Sequence, residues 1–274
     1  MTVAVVTDSG AGLSAPTAAA HGVTLVPIWI HLDGREARDG EIGLSEVLAA
    51  PEVSTSGPSP GEFEQAIAAV LADHAEVLVV TVAASLSSTN SAARLGAGGF
   101  GPRVRVLDSA TAAGGQALVA LAAARAAAEG AALATVETRA REAMERVRLV
   151  ASLATYDYLV RSGRVPGVAA WAANRLSVRP MFELRGGAPR AVRPVRGAND
   201  VERLVTACAA EQEAGARLHA IAMHAGAPER AELLAAAVRA RVQPAMLLVE
   251  PFGAAMVAHT GPGLLGLAWW WQPA

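Results

Sequence analysis

Apolar and polar positions fall along this chain in blocks that read as strands and helices in turn. Residues 3–7, VAVVT, are a β-branched run ending in Asp8-Ser9-Gly10, as in a strand that delivers polar groups to a loop. Pro16 and the alanines after it predict a brief helix. VTLVPIWIHL predicts a second strand, with Asp33-Gly34 as a turn signal beyond it. LSEVLAA has the length of a short helix stopped by Pro51. VSTSGPSP reads as a loop leading into GEFEQAIAAVLADH, where Phe63, Ile67, Val70 and Leu71 recur at helical spacing. EVLVVTV and RVRVLDS are short enough for strands, and alanine-rich helices then run to about Arg148.

Strands alternating with helices through this half predict a largely parallel sheet covered on both faces. From Tyr156 the pattern changes. RPMFELRGGAPRAVRPVRG predicts a hairpin with Gly186-Gly187 at its tip, after which helix and strand alternate again to LLGLAWWW. The expected architecture is two α/β lobes. The N-terminal lobe, residues 1–155, holds the largely parallel sheet, and the C-terminal lobe, residues 156–274, a mixed one.

Composition narrows the function. A chain of 274 residues suits two packed lobes better than one core. Apolar residues make up 53% but aromatics only 4%, because alanine carries the count, which favours close packing of helices on sheets. A formal charge of −2 gives no basic footprint for nucleic acid. The single cysteine, Cys208, excludes an intramolecular disulfide and a cysteine-based metal cage. Arg125 and Glu129 interrupt the longest alanine-rich run, so no membrane span is expected, and VAVVT is too short for a signal-peptide core. A soluble cytoplasmic protein is the expectation. The chain has no lysine, which removes a Walker-type phosphate clamp, a pyridoxal Schiff base and a lysine general base. No cofactor is implied.

Two kinds of site compete. Gly57-Pro58-Ser59-Pro60-Gly61 matches the G-x-S-x-G hydrolase pattern, with Asp108 and His259 following in order. The residue after such a serine must donate its backbone N–H to the oxyanion, and Pro60 has none. Pro60 instead suits the first turn of a helix. Thr55-Ser56 and Ser87-Ser88-Thr89 each precede a predicted helix, where hydroxyls and free amides favour an anion. Plain N-capping is the usual role of such hydroxyls, and two such loops together with the His259 turn favour the anion site only if they meet in space. His259, ahead of Thr260-Gly261-Pro262-Gly263, is a third polar group set between apolar runs.

VVTDSGAGLS, TSGPSPGEF, VLVVTVAASLSSTNSA, VLDSATAAGGQAL, YLVRSGRV and HTGPGLLGLAW resemble, in order and spacing, the motifs of the DegV family, which includes the fatty-acid-binding subunits of bacterial fatty acid kinase. The resemblance spans essentially the whole chain. It implies two α/β lobes with an acyl-chain tunnel inside, a long-chain fatty acid as ligand and a separate kinase catalytic subunit as partner. It further implies that the carboxylate is held by Thr55, Ser56, Ser87 and His259, with Gly261 shaping the turn. The chain departs from the family pattern at LSSTNSA, one residue short and without an aromatic, at Ala83 and Ala84, where serines are common, and at Gly57, where glutamine is frequent.

The expectation is therefore a binding protein without catalysis of its own. The alternatives are an ester hydrolase or acyltransferase using Ser87 or Ser59, or a lipid sensor without a kinase partner. Arg161 and Arg164 are candidates for docking the partner, or else a solvated helix end. Trp269, Trp270 and Trp271 are expected as packing and rim residues with a possible transient membrane contact. His21, His31, His74, His219 and His224 lack metal-ligand spacing, so no metal is expected. Asp8 and Asp108 are expected to cap helices or brace loops.

Overall fold

The computed structural model describes residues 2–165, 179–195 and 199–274. Strands are numbered along the chain: β1 (Val3–Asp8), β2 (Val23–Val26), β3 (Trp29–Leu32), β4 (Arg35–Arg38), β5 (Val53–Ser56), β6 (Glu76–Thr81), β7 (Val104–Asp108), β8 (Arg148–Ser152), β9 (Arg179–Arg185), β10 (Ala188–Val195), β11 (Arg217–His224), β12 (Met246–Pro251) and β13 (Leu265–Gln272). The first sheet has the order β2-β1-β6-β7, and every neighbouring pair is parallel. Helices cover both faces of a parallel sheet, which is why β1 and β6 are near-continuous apolar runs.

The second sheet has the order β10-β9-β8-β13-β11-β12 and is antiparallel except for the β11–β12 pair. It begins at β8, ahead of the residue-155 division expected from the sequence. The β9–β10 hairpin turns at Gly186 and Gly187, both with positive φ. Arg196 and Gly197, the end of the expected hairpin segment, lie outside the described residues.

A third sheet, β4-β3-β5, was not anticipated. Pro27 divides the stretch expected as one strand. β2 ends at Val26 in the parallel sheet, and β3 starts at Trp29 in this small antiparallel one. The expected loop at Val53–Ser56 is β5, paired with β3, so Thr55 and Ser56 point to opposite faces of a strand.

The helix Ala113–Ala128 packs on β1 and β6 on one side and on β11 and β13 on the other. Apolar burial around most of its circumference follows from that position. Small residues set the spacing: a Cβ on Gly114 would stand 2.7 Å from Met223 Sδ and 3.0 Å from Ala268 Cβ. The alanine excess of the sequence is thus the means by which one helix serves two sheets. Among the described residues no helix is long and apolar enough to cross a membrane.

Candidate ligand-binding site

In the parallel sheet, connections run from β1 outward to β2 on one side and through β6 to β7 on the other. Open α/β sheets bind ligands beyond the carboxyl ends of the strands at such a switch point. A cavity of about 100 Å³ lies there, between the lobes. Val82, Leu86, Ala112 and Ala113 wall it from the loops after β6 and β7, while Leu149, Phe182 and Leu184 wall it from the second sheet. Into this apolar space project Thr55, Ser87, Arg164 and His259.

His259 belongs to the last turn of a short helix, Ala254–Thr260, and not to the turn expected from the sequence. Gly261 ends that helix with φ 73°, and its N–H bonds the Val257 carbonyl at 2.8 Å. A Cβ there would stand 2.3 Å from Tyr158 Cδ2, so glycine is required by the backbone and by the ring against it. Gly261 does not line the cavity; it shapes the segment that does.

His259 Nε2 lies 2.7 Å from Thr55 Oγ1, and Arg164 Nη1 lies 3.4 Å from His259 Nδ1. A guanidinium can only donate, so Nδ1 accepts and Nε2 carries the ring proton toward Thr55. Arg164 Nη2 also donates to Thr55 Oγ1 and to the Thr55 carbonyl, each at 3.3 Å. Both lone pairs of the Thr55 hydroxyl are thereby occupied, which leaves its O–H free to donate to a ligand. Burial, and secondarily the Arg164 charge, push the His259 pKa down to about 4, so the ring is neutral at pH 7. Burial also lowers the Arg164 pKa.

Arg164, expected either to dock a partner or to end a helix in solvent, lines both the cavity and the outer groove beside it. It is half-buried, and among the described residues it has no carboxylate partner. Arg161 does remain at the surface, over the Tyr158 ring at 4.5 Å. The polar side chains meeting at this end of the cavity thus include one guanidinium beside the hydroxyls and the imidazole.

Ser87 lines the cavity and accepts from Thr89 N–H at 3.2 Å, and its hydroxyl meets Thr89 Oγ1 at 2.8 Å. Gly57 brings the two hydroxyl loops together, since a Cβ there would stand 2.5 Å from Thr89 Oγ1. Ser56 faces away. Its Oγ bonds His31 Nε2 at 2.8 Å, and His31 Nδ1 meets Glu36 at 3.1 Å, on the exposed face of the small sheet.

The hydrolase arrangement does not assemble. Ser59 caps the helix Pro60–Val70, its Oγ 2.9 Å from Glu62, in a capping box. The Asp108 carboxylate accepts from Ala84 and Ala110 N–H, while His259 is engaged by Thr55. The three tryptophans offer no membrane contact either. Trp269 is 0% exposed and Trp270 and Trp271 are each 5% exposed, and the indole N–H groups of Trp269 and Trp271 bond Glu211 and the Cys208 carbonyl. Among the described residues no group of three His, Cys, Asp or Glu side chains is placed to hold a metal ion.

A family profile described as "Uncharacterised protein, DegV family" matches residues 2–271. This chain belongs to the DegV family. A DegV domain-containing protein of Mycobacterium bovis is 36% identical over 275 residues, covering 97% of this chain and 96% of the relative. One from Streptomyces coelicolor is 35% identical, with 97% of each chain covered. Among solved structures, a DegV family protein from Thermus thermophilus, described for its fatty acid binding, superposes with a TM-score of 0.89 at 29% identity, covering 99% of this chain and 100% of that one. A Thermotoga maritima protein, described as revealing fatty acid binding function, gives 0.87 at 25% identity, with 99% of each chain covered. The two-lobed fold is that of the family.

Proposed function

We propose that this DegV family protein binds one long-chain fatty acid in the interlobe cavity and presents its carboxylate to a separate kinase subunit, without catalysis of its own. The observation that carries the reading is Arg164, a half-buried guanidinium lining an apolar cavity with no carboxylate beside it among the described residues. Uncompensated charge in such a place is costly, and a ligand carboxylate removes the cost. The free Thr55 O–H and the Ser87 hydroxyl supply further donors, and His259 holds Thr55 in place. The fatty acid binding described for the Thermus and Thermotoga relatives supports the same ligand class.

The tail supplies most of the affinity. Each buried CH₂ is worth about 0.8 kcal/mol, so a sixteen-carbon acid gains about 12 kcal/mol gross before ordering costs. Met256, an unbranched and adaptable side chain, lines the cavity where it can adjust to such a tail. The head-group end is reached from outside by a groove of about 780 Å³ that shares Arg164 and His259 with the cavity and carries Arg161 and His31 on its rim. That route supports a role in which a partner reaches the carboxylate while the tail stays buried. The resemblance to fatty acid kinase subunits supports the kinase as that partner.

Native mass spectrometry of delipidated protein titrated with palmitate tests the binding step. One added ligand mass per chain is expected, and a protein that neither carries nor takes up any fatty acid refutes it. Adding a fatty acid kinase catalytic subunit with ATP and magnesium should then give acyl phosphate, whereas the protein alone should not.

A further inference from the structure

Asp39 follows β4, outside the cavity and outside the roles given above. Its carboxylate joins two segments. Oδ2 accepts from Ser9 Oγ at 2.8 Å, and Oδ1 accepts from Ala255 N–H at 3.3 Å, in the first turn of the helix that ends with His259 and Thr260. Ser9 Oγ in turn accepts from Ile28 N–H at 3.0 Å, and Asp39 N–H donates to the Ile28 carbonyl at 2.8 Å. The chain passes close over the carboxylate, since a Cβ on Gly253 would stand 3.2 Å from Asp39 Oδ2.

Among the described residues this carboxylate has no ion-pair partner, and burial raises its pKa. Its compensation comes from hydroxyl and amide donors and from the positive end of the helix. Ala255 and His259 are one helical turn apart and share a face, and both line the cavity together with Ile28. A displacement at Ala255 is therefore carried directly to His259, and from there to Thr55 and Arg164.

We propose that Asp39 is a positioning residue for the head-group site, fixing the start of the His259 helix so that His259 meets Thr55 and Arg164 in the geometry that receives a carboxylate. The inference rests on the fatty-acid reading above. It is separated from a merely structural role by a double-mutant cycle read on ligand selectivity. Affinities for palmitate and for hexadecanol are measured by calorimetry on delipidated wild type, Asp39→Ala, His259→Ala and the double variant. Asp39→Ala should lower the palmitate-over-hexadecanol preference about tenfold, His259→Ala by a similar factor, and the double variant no further than His259→Ala alone. Asp39→Asn, which keeps the shape and one acceptor, should lose about threefold on the wild-type background and nothing on the His259→Ala background; it reads the same coupling if the alanine variant folds poorly. Losses that add fully in the double variants, or a preference untouched by either Asp39 substitution while thermal stability falls, overturn the positioning role. A wild-type protein with no preference for the acid overturns the head-group reading itself, and His259→Ala then has nothing to remove.

Discussion

Replacing Arg164 with methionine should make the lipid-free protein more stable and a worse fatty-acid binder. Methionine keeps the apolar stem and volume but removes the charge. Arg164 makes hydrogen bonds of 3.3 Å to the Thr55 carbonyl and hydroxyl and of 3.4 Å to the Ser162 carbonyl and His259 Nδ1. All are longer than a good N–H···O bond, and none goes to a carboxylate. Exchanging an ill-compensated, half-buried charge for an apolar side chain is expected to gain about 1 kcal/mol, the low end of what such replacements give. With a fatty acid bound the sign reverses. Losing a hydrogen bond between charged groups costs about 1.5–3 kcal/mol, or about 10- to 150-fold in affinity. The assay is urea denaturation of delipidated wild type and Arg164→Met, beside calorimetric titration of each with palmitate and hexadecanol. The His259 pKa, followed by NMR, should also rise from about 4 in the variant, though not fully, because burial is its larger cause. A variant that is less stable without lipid, and that loses acid and alcohol affinity equally, refutes the reasoning.

Other perturbations check neighbouring parts of the reading. His259 has a folded pKa of about 4 against 6.5 for free histidine, so the unfolded chain takes up this proton first as pH falls. Its contribution is fully present above pH 6.5 and is lost toward pH 4, by about 3 kcal/mol in all, and the stability–pH curve of His259→Gln should be flatter over that window by this amount. Gly261→Ala should cost at least about 2 kcal/mol in chemical denaturation, from positive-φ strain and the Tyr158 clash together. Gly114→Ala should destabilise by about 1–2 kcal/mol despite alanine's better helix propensity, because overpacking between the two sheets outweighs it. Ser56→Ala should leave palmitate affinity within about twofold, since its hydroxyl bonds His31 on the far face of β5, whereas Thr55→Ala should weaken it about tenfold; equal effects would mean that β5 presents its other face to the ligand.

Where periodicity carries the information, the fold was legible. The apolar runs of β1 and β6, the spacing of Phe63 and Ile67 and the Gly186-Gly187 turn each became the element expected of them. What failed was local punctuation. Pro27 sits between two strands of different sheets, and an unbroken apolar window gives no sign that its halves pair with different partners. VSTS looked like a loop because serine and threonine dominate it, yet pairing with β3 makes it a strand, and the strand's alternation sends Thr55 into the cavity and Ser56 out of it. His259 looked like a turn residue because Gly261 follows it, although a glycine with positive φ is as much a helix terminator as a turn former.

Arg164 lies in the YLVRSGRV motif, yet the motif does not say which carboxylate, if any, pairs with it. The chain carries 25 acidic residues and 23 basic ones, so from the sequence every arginine has a nominal partner. Folding assigns the partners. Glu137 takes Arg105 and, one turn along its own helix, Arg141; Glu183 and Glu211 share Arg148; and the buried Asp200 takes Arg230. After these assignments no carboxylate among the described residues lies within ion-pairing distance of Arg164. The segment that follows β8 nevertheless carries it inward past Gly163, whose positive φ ends the preceding helix. The missing counter-charge, among the described residues, is a property of the whole pairing pattern and cannot be read from the motif alone. A ligand with one negative end and a long apolar remainder would match both features at once: its head would complete the Arg164 pairing, and its tail would lie against the aliphatic and aromatic side chains that make up most of the lining.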